Sequence, residues 1–165
     1  NGYWNISDNL PLQLCGISNL ISCFILFLPK NKRLFEFLFY AGIIGAIQAF
    51  LTPQINNFDG SSYEYLEYYI SHAGILLLPI YMFKNLNYKL SRYSWLKMLL
   101  YLNILVVIVM PLNFIIDSNY MYLAYRPGVN NPLIIGEWPI YILFWEVILL
   151  AFTYILYFIS TGKRI

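Results

Sequence analysis

The chain has 165 residues, of which 60% are hydrophobic, 19% are aromatic and only 11% are charged. A soluble domain usually carries about a quarter charged residues. With a mean hydropathy of +0.61, the chain has too few polar side chains to cover a water-soluble globule. This composition argues against a soluble enzyme, a nucleic-acid-binding protein and a disordered tail. We expect a protein that lies in a lipid bilayer.

Five apolar segments are close to the length of about 20 residues with which a helix crosses the hydrocarbon core. They are residues 10–28, 34–51, 63–83, 95–115 and 139–160. We predict an all-α fold, a polytopic transmembrane helix bundle that forms a single domain over residues 1–165. The chain begins without an initiator methionine or a signal-peptide pattern. We therefore expect further helices to precede it in the full protein.

The segments between these helices contain turn-forming residues. A tight basic turn at 29–33 begins with Pro29, and the loop at 52–62 holds Pro53, Asp59 and Gly60. A second basic loop occupies 84–94. The longest connection, 116–138, contains prolines and a glycine that argue against a continuous helix: Pro127, Pro132 and Gly136.

Lysine and arginine residues predict the orientation in the membrane. They follow the first, third and fifth helices, and these three groups share one side because successive helices alternate direction. The groups are Lys30, Lys32 and Arg33; Lys84, Lys89, Arg92 and Lys97; and Lys163 and Arg164. All of the ten basic residues except Arg126 thus face the cytoplasm. We predict a cell-membrane protein with the N-terminus of this chain outside and its C-terminus inside.

Most of the unusual polar groups lie toward the outer face, which indicates a cavity open on that side. His72 is the only histidine. It would lie about 13 Å below the outer interface if the third helix begins near Tyr63. Histidine at that depth usually faces the bundle interior or a watery cavity. A structural histidine hydrogen-bonded between helices is about equally compatible with its position. Three tyrosines lie above it on the same helix face: Tyr65, Tyr68 and Tyr69.

Two cysteines lie in the first predicted helix. Free cysteines mostly act as small buried hydrophobic residues, and we interpret Cys23 in this way. Cys15 lies one to two turns into the helix, at a depth similar to that of His72. Pro11 near the helix start would place the Cys15 thiol near the positive N-terminal end, where a thiolate is favoured.

Polar residues also occur in the last two helices. Glu146 lies within the fifth helix, where facing lipid would cost about 3 kcal/mol. We expect it to face inward, either protonated or paired with Arg126 or His72 as candidate partners, and to serve either helix packing or function. Trp138, between Glu137 and Pro139, is a candidate for a role beyond the interfacial aromatic belt. A near-heptad spacing predicts the buried face of the fourth helix: Asn103, Met110, Asn113 and Asp117.

Several nucleotide-binding and hydrolase motifs are absent from the sequence. It has no Walker loop, dinucleotide-binding glycine pattern or Gly-x-Ser-x-Gly motif. One histidine and two cysteines of a single helix cannot form an ordinary tetrahedral metal site. We therefore expect no cofactor and no metal.

The polar landmarks follow a characteristic order. Leu10–Cys15 opens the first helix, Leu51-Thr52-Pro53 ends the second, and His72 lies in the third. Asn119–Leu123 with Arg126-Pro127, and then Gly136–Tyr141, precede the fifth. Over nearly the whole chain this order resembles the YwaF-type family of bacterial multi-pass membrane proteins. Eukaryotic relatives of that family include an acyltransferase that places polyunsaturated acyl chains on ether phospholipids.

The resemblance implies that Cys15 matches the relatives' acyl-accepting cysteine and that His72 matches its partner histidine. Gln13 departs from the pattern, since bacterial members often carry histidine there, and the family's N-terminal helices are missing from this chain. We expect an integral membrane acyltransferase or phospholipid-remodelling enzyme with Cys15 as nucleophile and His72 as base. Membrane phospholipids would be the acyl donor and the acceptor.

Other polar residues are candidates for binding the substrate. Asn119 or Gln13 would donate a hydrogen bond to the oxyanion, and Arg126 would hold the lipid phosphate. Glu146 and Trp138 are further substrate-binding candidates. Two alternatives remain open: a non-enzymatic transporter or lipid-binding protein with a polar site at His72, Glu146 and Arg126, or a related lipid hydrolase in which water replaces the acceptor.

Overall fold

The computed structural model describes residues 4–28, 30–55, 61–128 and 131–162. In these ranges it contains five helices and one short 3-10 turn: Leu14–Phe27, Lys32–Leu51, Ser62–Asn85, Ser94–Ile115, Ile140–Thr161 and the turn Tyr120–Tyr122. The last four helices are long and apolar enough to cross a membrane. The predicted all-α helical membrane fold is confirmed. Five residues used in the sequence predictions lie outside the described ranges: Pro29, Asp59, Gly60, Lys163 and Arg164.

The first helix is shorter than the predicted 10–28. It has 14 residues, about 21 Å of helix, against about 30 Å of hydrocarbon. Leu10 and Gln13 bond to the long connection, and the helix begins only at Leu14. The Leu10 N–H donates to the Tyr120 hydroxyl at 2.9 Å, and the Gln13 Oε1 accepts from the Met121 N–H at 2.9 Å. The predicted start was therefore wrong by about one helical turn.

The chain divides into two compact units. Leu14–Ser91 holds the first three helices and is called here the three-helix unit. Asn1–Gln13 together with Arg92–Ile165 holds the fourth and fifth helices and is called the two-helix unit. The single domain over residues 1–165 stays a prediction.

The second helix supplies most of the core of the three-helix unit. Phe35, Leu38, Tyr40 and Ala46 are completely buried, and the helix contains a π-helical turn at Leu38–Gly42. Small residues recur along its buried face: Gly42, Gly45, Ala46 and Ala49. Small side chains at this spacing let two transmembrane helices approach closely, so this helix has close neighbours on that face.

Gly42 marks the closest of these approaches. A Cβ atom added to Gly42 would lie 2.6 Å from the Ile75 carbonyl oxygen of the third helix. No side chain fits there without moving backbone atoms, so the spacing between the second and third helices depends on the absence of a side chain at this position.

The buried face of the fourth helix differs in part from the predicted one. Its buried residues are Ser94, Met98, Leu102, Val109 and Asn113. Asn113 was predicted correctly, whereas Asn103 and Asp117 are exposed. The helix is apolar around its whole circumference, as expected beside lipid, so the spacing of its few polar residues was a poor guide to its buried face.

Tyr120 anchors the N-terminal segment within the two-helix unit. Its buried hydroxyl donates to the Ile6 carbonyl at 2.7 Å and accepts from the Leu10 N–H. The Tyr120 backbone is in turn held by Asn113, which accepts from its N–H and donates to its carbonyl. The Tyr120 side chain therefore connects the long connection to the segment before the first helix, and the Asn113 side chain holds the Tyr120 backbone in place.

We expect Gly42→Ala to lower the stability of the protein by about 1–3 kcal/mol, because the new methyl group collides with backbone atoms of the third helix. Gly74→Ala is the matched control, since its Cβ would have no atom within 4 Å. Thermal unfolding of the purified protein in detergent measures both changes. Equal melting temperatures for the two variants would contradict the close approach at Gly42.

We expect the segment around Ile6 and Leu10 to loosen in alkaline solution. Burial raises the pKa of Tyr120 above its ordinary value of 10, with a smaller contribution from Asp8. The protonated phenol therefore stabilises the folded unit below pH 10, and this contribution is lost as pH rises through the raised pKa. The phenolate can no longer donate to the Ile6 carbonyl, although it still accepts from the Leu10 N–H. Hydrogen exchange should therefore accelerate there in the wild type at Asp8 and Asn9, whose N–H groups bond to the Asn5 carbonyl beside Ile6. Tyr120→Phe should exchange fast at every pH, and a parallel pH response in both proteins would contradict the role of the phenol.

Candidate functional site

Cys15 lies in the first turn of the first helix. This is nearer the helix N-terminus than the predicted one to two turns. Its thiol is half-buried and packs against the core cluster of Leu38, Ala46 and Ile75. A Cβ atom at Gly45 would lie 3.0 Å from the Cys15 Sγ. The sulfur therefore rests against the bare backbone of the second helix, in space that a side chain at Gly45 would reduce.

His72 is buried in the third helix, ten residues after its first residue. Its Nδ1 lies 2.6 Å from the Tyr68 carbonyl oxygen, four residues earlier. Because a carbonyl oxygen can only accept, Nδ1 carries the proton and donates. In the neutral ring the Nε2 atom therefore has a free lone pair, which is the arrangement that a general base requires.

Tyr68 is a neighbour of both residues. Its ring centroid lies 4.3 Å from that of His72, and its side chain is near enough to Cys15 for the two groups to interact electrostatically. The Tyr68 hydroxyl donates to the Ala49 carbonyl at 3.2 Å and accepts from the Gln54 N–H at 3.3 Å. Cys15, Tyr68 and His72 thus belong to one unit and one neighbourhood, formed by the first three helices.

Aromatic rings extend this neighbourhood along the third helix. Tyr69 contacts Tyr65 and Tyr68 with centroid separations of 4.7 and 5.3 Å, and it stacks on Phe50 at 6.0 Å. Phe50 also meets the His72 ring edge-on at 6.5 Å. Tyr65 is exposed. The predicted line of tyrosines above His72 therefore exists as a set of contacting rings that runs from the surface to the imidazole.

Gln13 and Asn119, the predicted oxyanion donors, both lie in the two-helix unit and support its long connection. The Gln13 Oε1 accepts from Met121, as described above. The Asn119 Nδ2 donates to the Tyr125 carbonyl at 2.9 Å, and its Oδ1 accepts from the Ala124 and Tyr125 N–H groups. These bonds account for why amide side chains occur at these positions; a role at an oxyanion stays a prediction.

Glu146 and Arg126 have partners other than each other. The Glu146 Oε2 accepts from the Asn103 Nδ2 at 3.0 Å. The Arg126 Nη1 forms an ion pair with the Glu137 Oε1 at 3.3 Å, and both side chains are exposed. Exposed pairs of this kind contribute about 0–1 kcal/mol, so a phosphate group can compete for the guanidinium. The candidate partner of Glu146 is thus replaced by an amide of the fourth helix.

Trp138 is partly exposed and lies in the same unit. Its Nε1 donates to the Leu123 carbonyl at 2.9 Å, and its ring meets Phe114 edge-on at 6.2 Å. These contacts connect the approach to the fifth helix with the long connection, so Trp138 has a structural role in addition to any contact with a substrate.

Gly45 and Phe50 are neighbours of the site that the sequence reasoning missed. The signal for Gly45 was available, because small residues recur at a four-residue spacing in the second helix. No comparable signal identified Phe50 among the twelve phenylalanines of the chain. Within the described residues, no group of three or more histidine, cysteine or acidic side chains is placed to hold a metal ion.

The helices and the polar groups within them define a multi-pass helical membrane protein. Comparison with known families supports this class: residues 1–157 match the TMEM164 family. The chain therefore belongs to the TMEM164 family. Neither a curated protein nor a solved structure matches it in the same comparisons.

We expect Gly45→Ala to slow alkylation of the Cys15 thiol several-fold, because the added methyl group takes up space at 3.0 Å from the sulfur. The rate is measured with a maleimide in a Cys23→Ser background, so that Cys15 is the only thiol. Gly74→Ala in the same background is the control. If both variants react at the rate of the parent, the space beside Gly45 does not control access to the Cys15 thiol, and the prediction is wrong.

Proposed function

We propose that the protein is a membrane-embedded acyltransferase that remodels phospholipids through an acyl-enzyme on Cys15. The observation that carries the proposal is the hydrogen bond from His72 Nδ1 to the Tyr68 carbonyl. In the neutral ring this bond leaves Nε2 free to accept a proton, in the neighbourhood of the only half-buried thiol in the described residues. The resemblance of the polar landmarks to the YwaF-type family, with its acyltransferase relative, also supports this reading.

The thiol requires a base because its surroundings are apolar. Packing against Leu38, Ala46 and Ile75 provides no charge that would stabilise a thiolate. A proton acceptor at His72 would produce a thiolate–imidazolium pair, and the attraction in this pair is strengthened where water is excluded. Because Cys15 lies in the first turn of a helix, backbone N–H groups would stabilise the thiolate to a smaller extent.

The proposed reaction has two steps. In the first, His72 Nε2 takes the thiol proton and the sulfur attacks the ester carbonyl of a donor phospholipid. The tetrahedral intermediate collapses to a Cys15 thioester, and the leaving lysophospholipid oxygen receives the proton from the imidazolium. In the second, the hydroxyl of an acceptor lipid gives its proton to Nε2 and attacks the thioester, and the thiolate leaves and is reprotonated.

The chain of aromatic rings is the proposed route for the donor acyl chain. It begins at the exposed Tyr65 and reaches His72 through Tyr69 and Phe50. Rings along such a path offer apolar area to an acyl chain and, at the tyrosine hydroxyls, polar contacts to its glycerol end. In the proposed orientation in a cell membrane, this end of the third helix faces the outer leaflet.

The transporter or lipid-binding alternative requires a polar site at His72, Glu146 and Arg126. Each of these side chains has a separate partner: a backbone carbonyl for His72, an amide for Glu146 and a carboxylate for Arg126. The Cys15 neighbourhood has no role in this alternative. We therefore place the acyltransferase first, with the hydrolase as the same acyl-enzyme in which water is the acceptor.

We expect the purified protein to form a hydroxylamine-labile acyl adduct when incubated with phospholipid. Cys15→Ser should abolish the thioester. The control Cys23→Ser should form it normally, because Cys23 is exposed on the first helix and is not the buried residue that the sequence predicted. His72→Ala should slow adduct formation by about 10²–10⁴-fold through loss of the base. Acyl transfer by Cys15→Ser at the wild-type rate would show that the nucleophile assignment is wrong.

A further inference from the structure

Five basic side chains of the three-helix unit lie exposed in two short segments of the chain. The first segment enters the second helix, and the second segment follows the third helix. The residues are Lys30, Lys32, Arg33, Lys84 and Lys89.

The two segments are held against each other by three contacts. The Lys30 N–H donates to the Tyr88 hydroxyl at 2.7 Å, and the rings of Phe35 and Tyr88 lie 5.0 Å apart. The Ser91 N–H donates to the Glu36 Oε1 at 2.6 Å. Because these contacts join residues on both segments, the five cations share one region, which we call the basic surface.

No acid in the described part of either segment forms an ion pair with these cations. Glu36 is the only acidic residue between 28 and 36 or between 84 and 91, and its carboxylate is buried and bonded to Ser91. Lys32 and Arg33 occupy the first helical turn, where the helix dipole is positive and disfavours a cation. The basic surface therefore concentrates positive charge, and at Lys32 and Arg33 it does so at a cost to local stability.

The backbone of Lys30 carries a second, conformational cost. Its φ angle is +69°, a left-handed conformation that glycine adopts with less strain than any other residue. The turn thus holds a lysine where the backbone favours glycine, as expected where the side chain serves a function.

The location of the basic surface indicates what binds it. Lys32 begins one candidate membrane span and Lys84 lies in the last turn of the next, so both side chains reach the level of lipid headgroups. Large apolar side chains are exposed beside them, with Phe27 at 81% and Leu86 at 50%. Positive charge next to exposed apolar groups fits a bilayer surface better than a nucleic acid or a soluble acidic protein, which would leave those groups in water.

We propose that the basic surface is a binding site for the headgroups of anionic phospholipids in the leaflet that it faces. The site is separate from the Cys15 neighbourhood and does not depend on the proposed acyltransferase activity. It would hold the second and third helices to anionic regions of the membrane.

The test uses the full chain in phosphatidylcholine nanodiscs with spin-labelled phosphatidylglycerol or phosphatidylcholine. The wild type should bind the anionic label preferentially, and the preference should fall as salt is raised. Lys32→Gln/Arg33→Gln should reduce the preference by up to about five-fold for each cation removed. The same variant should melt no lower than the wild type, because it removes two cations from a helix N-terminus.

Two further variants distinguish charge from structure. Lys32→Arg/Arg33→Lys keeps both charges and should retain the preference for the anionic lipid. Lys30→Gly relieves the left-handed backbone but removes one charge, so it should lose part of that preference. An unchanged preference in the glutamine variant, or an equal loss in the charge-retaining variant, would overturn the proposal. Displacement of the labelled lipid by millimolar glycerol phosphate would also overturn it, since the site would then bind a soluble phosphate.

Discussion

The close approach of Gly42 to the Ile75 carbonyl is the contact on which the three-helix unit depends. In a bilayer, apolar side chains gain little by leaving lipid for protein, so helices associate mainly through close packing and hydrogen bonds. Gly42 permits that packing because it has no side chain. One turn along the second helix, Gly45 lies against the Cys15 sulfur, and one turn before Ile75 lies His72. The same close spacing therefore positions both groups of the candidate site.

Tyr68 adds the hydrogen bonds that packing alone does not supply. Its hydroxyl connects the third helix to backbone groups at the end of the second, and its carbonyl orients the His72 ring. Both interactions involve partly buried groups, and a hydrogen bond is stronger there than between groups that are fully exposed to water. Tyr68 thus connects the second and third helices and also determines which nitrogen of His72 donates to the backbone.

Polar side chains elsewhere in this apolar chain mostly satisfy backbone groups. Gln13, Asn113 and Asn119 all bond to the backbone of the long connection in the two-helix unit. A connection with little regular structure leaves many N–H and carbonyl groups to be bonded, and amide side chains provide both donors and acceptors. The basic surface is different, because within the described residues its charged groups do not bond to backbone groups in this way.

The sequence by itself determined the all-α membrane class and the approximate bounds of the last four helices. Apolar runs of about 20 residues match the thickness of the hydrocarbon core, so the composition of the chain indicates these helices directly. Only the tertiary structure decided the start of the first helix, the Asn103 partner of Glu146 and the proton on His72 Nδ1. The start of the first helix and the partner of Glu146 depend on hydrogen bonds between residues far apart in the chain. The His72 proton depends on which nitrogen the ring turns toward its own helix. Neither contacts between distant residues nor the orientation of one ring leaves a local pattern in the sequence.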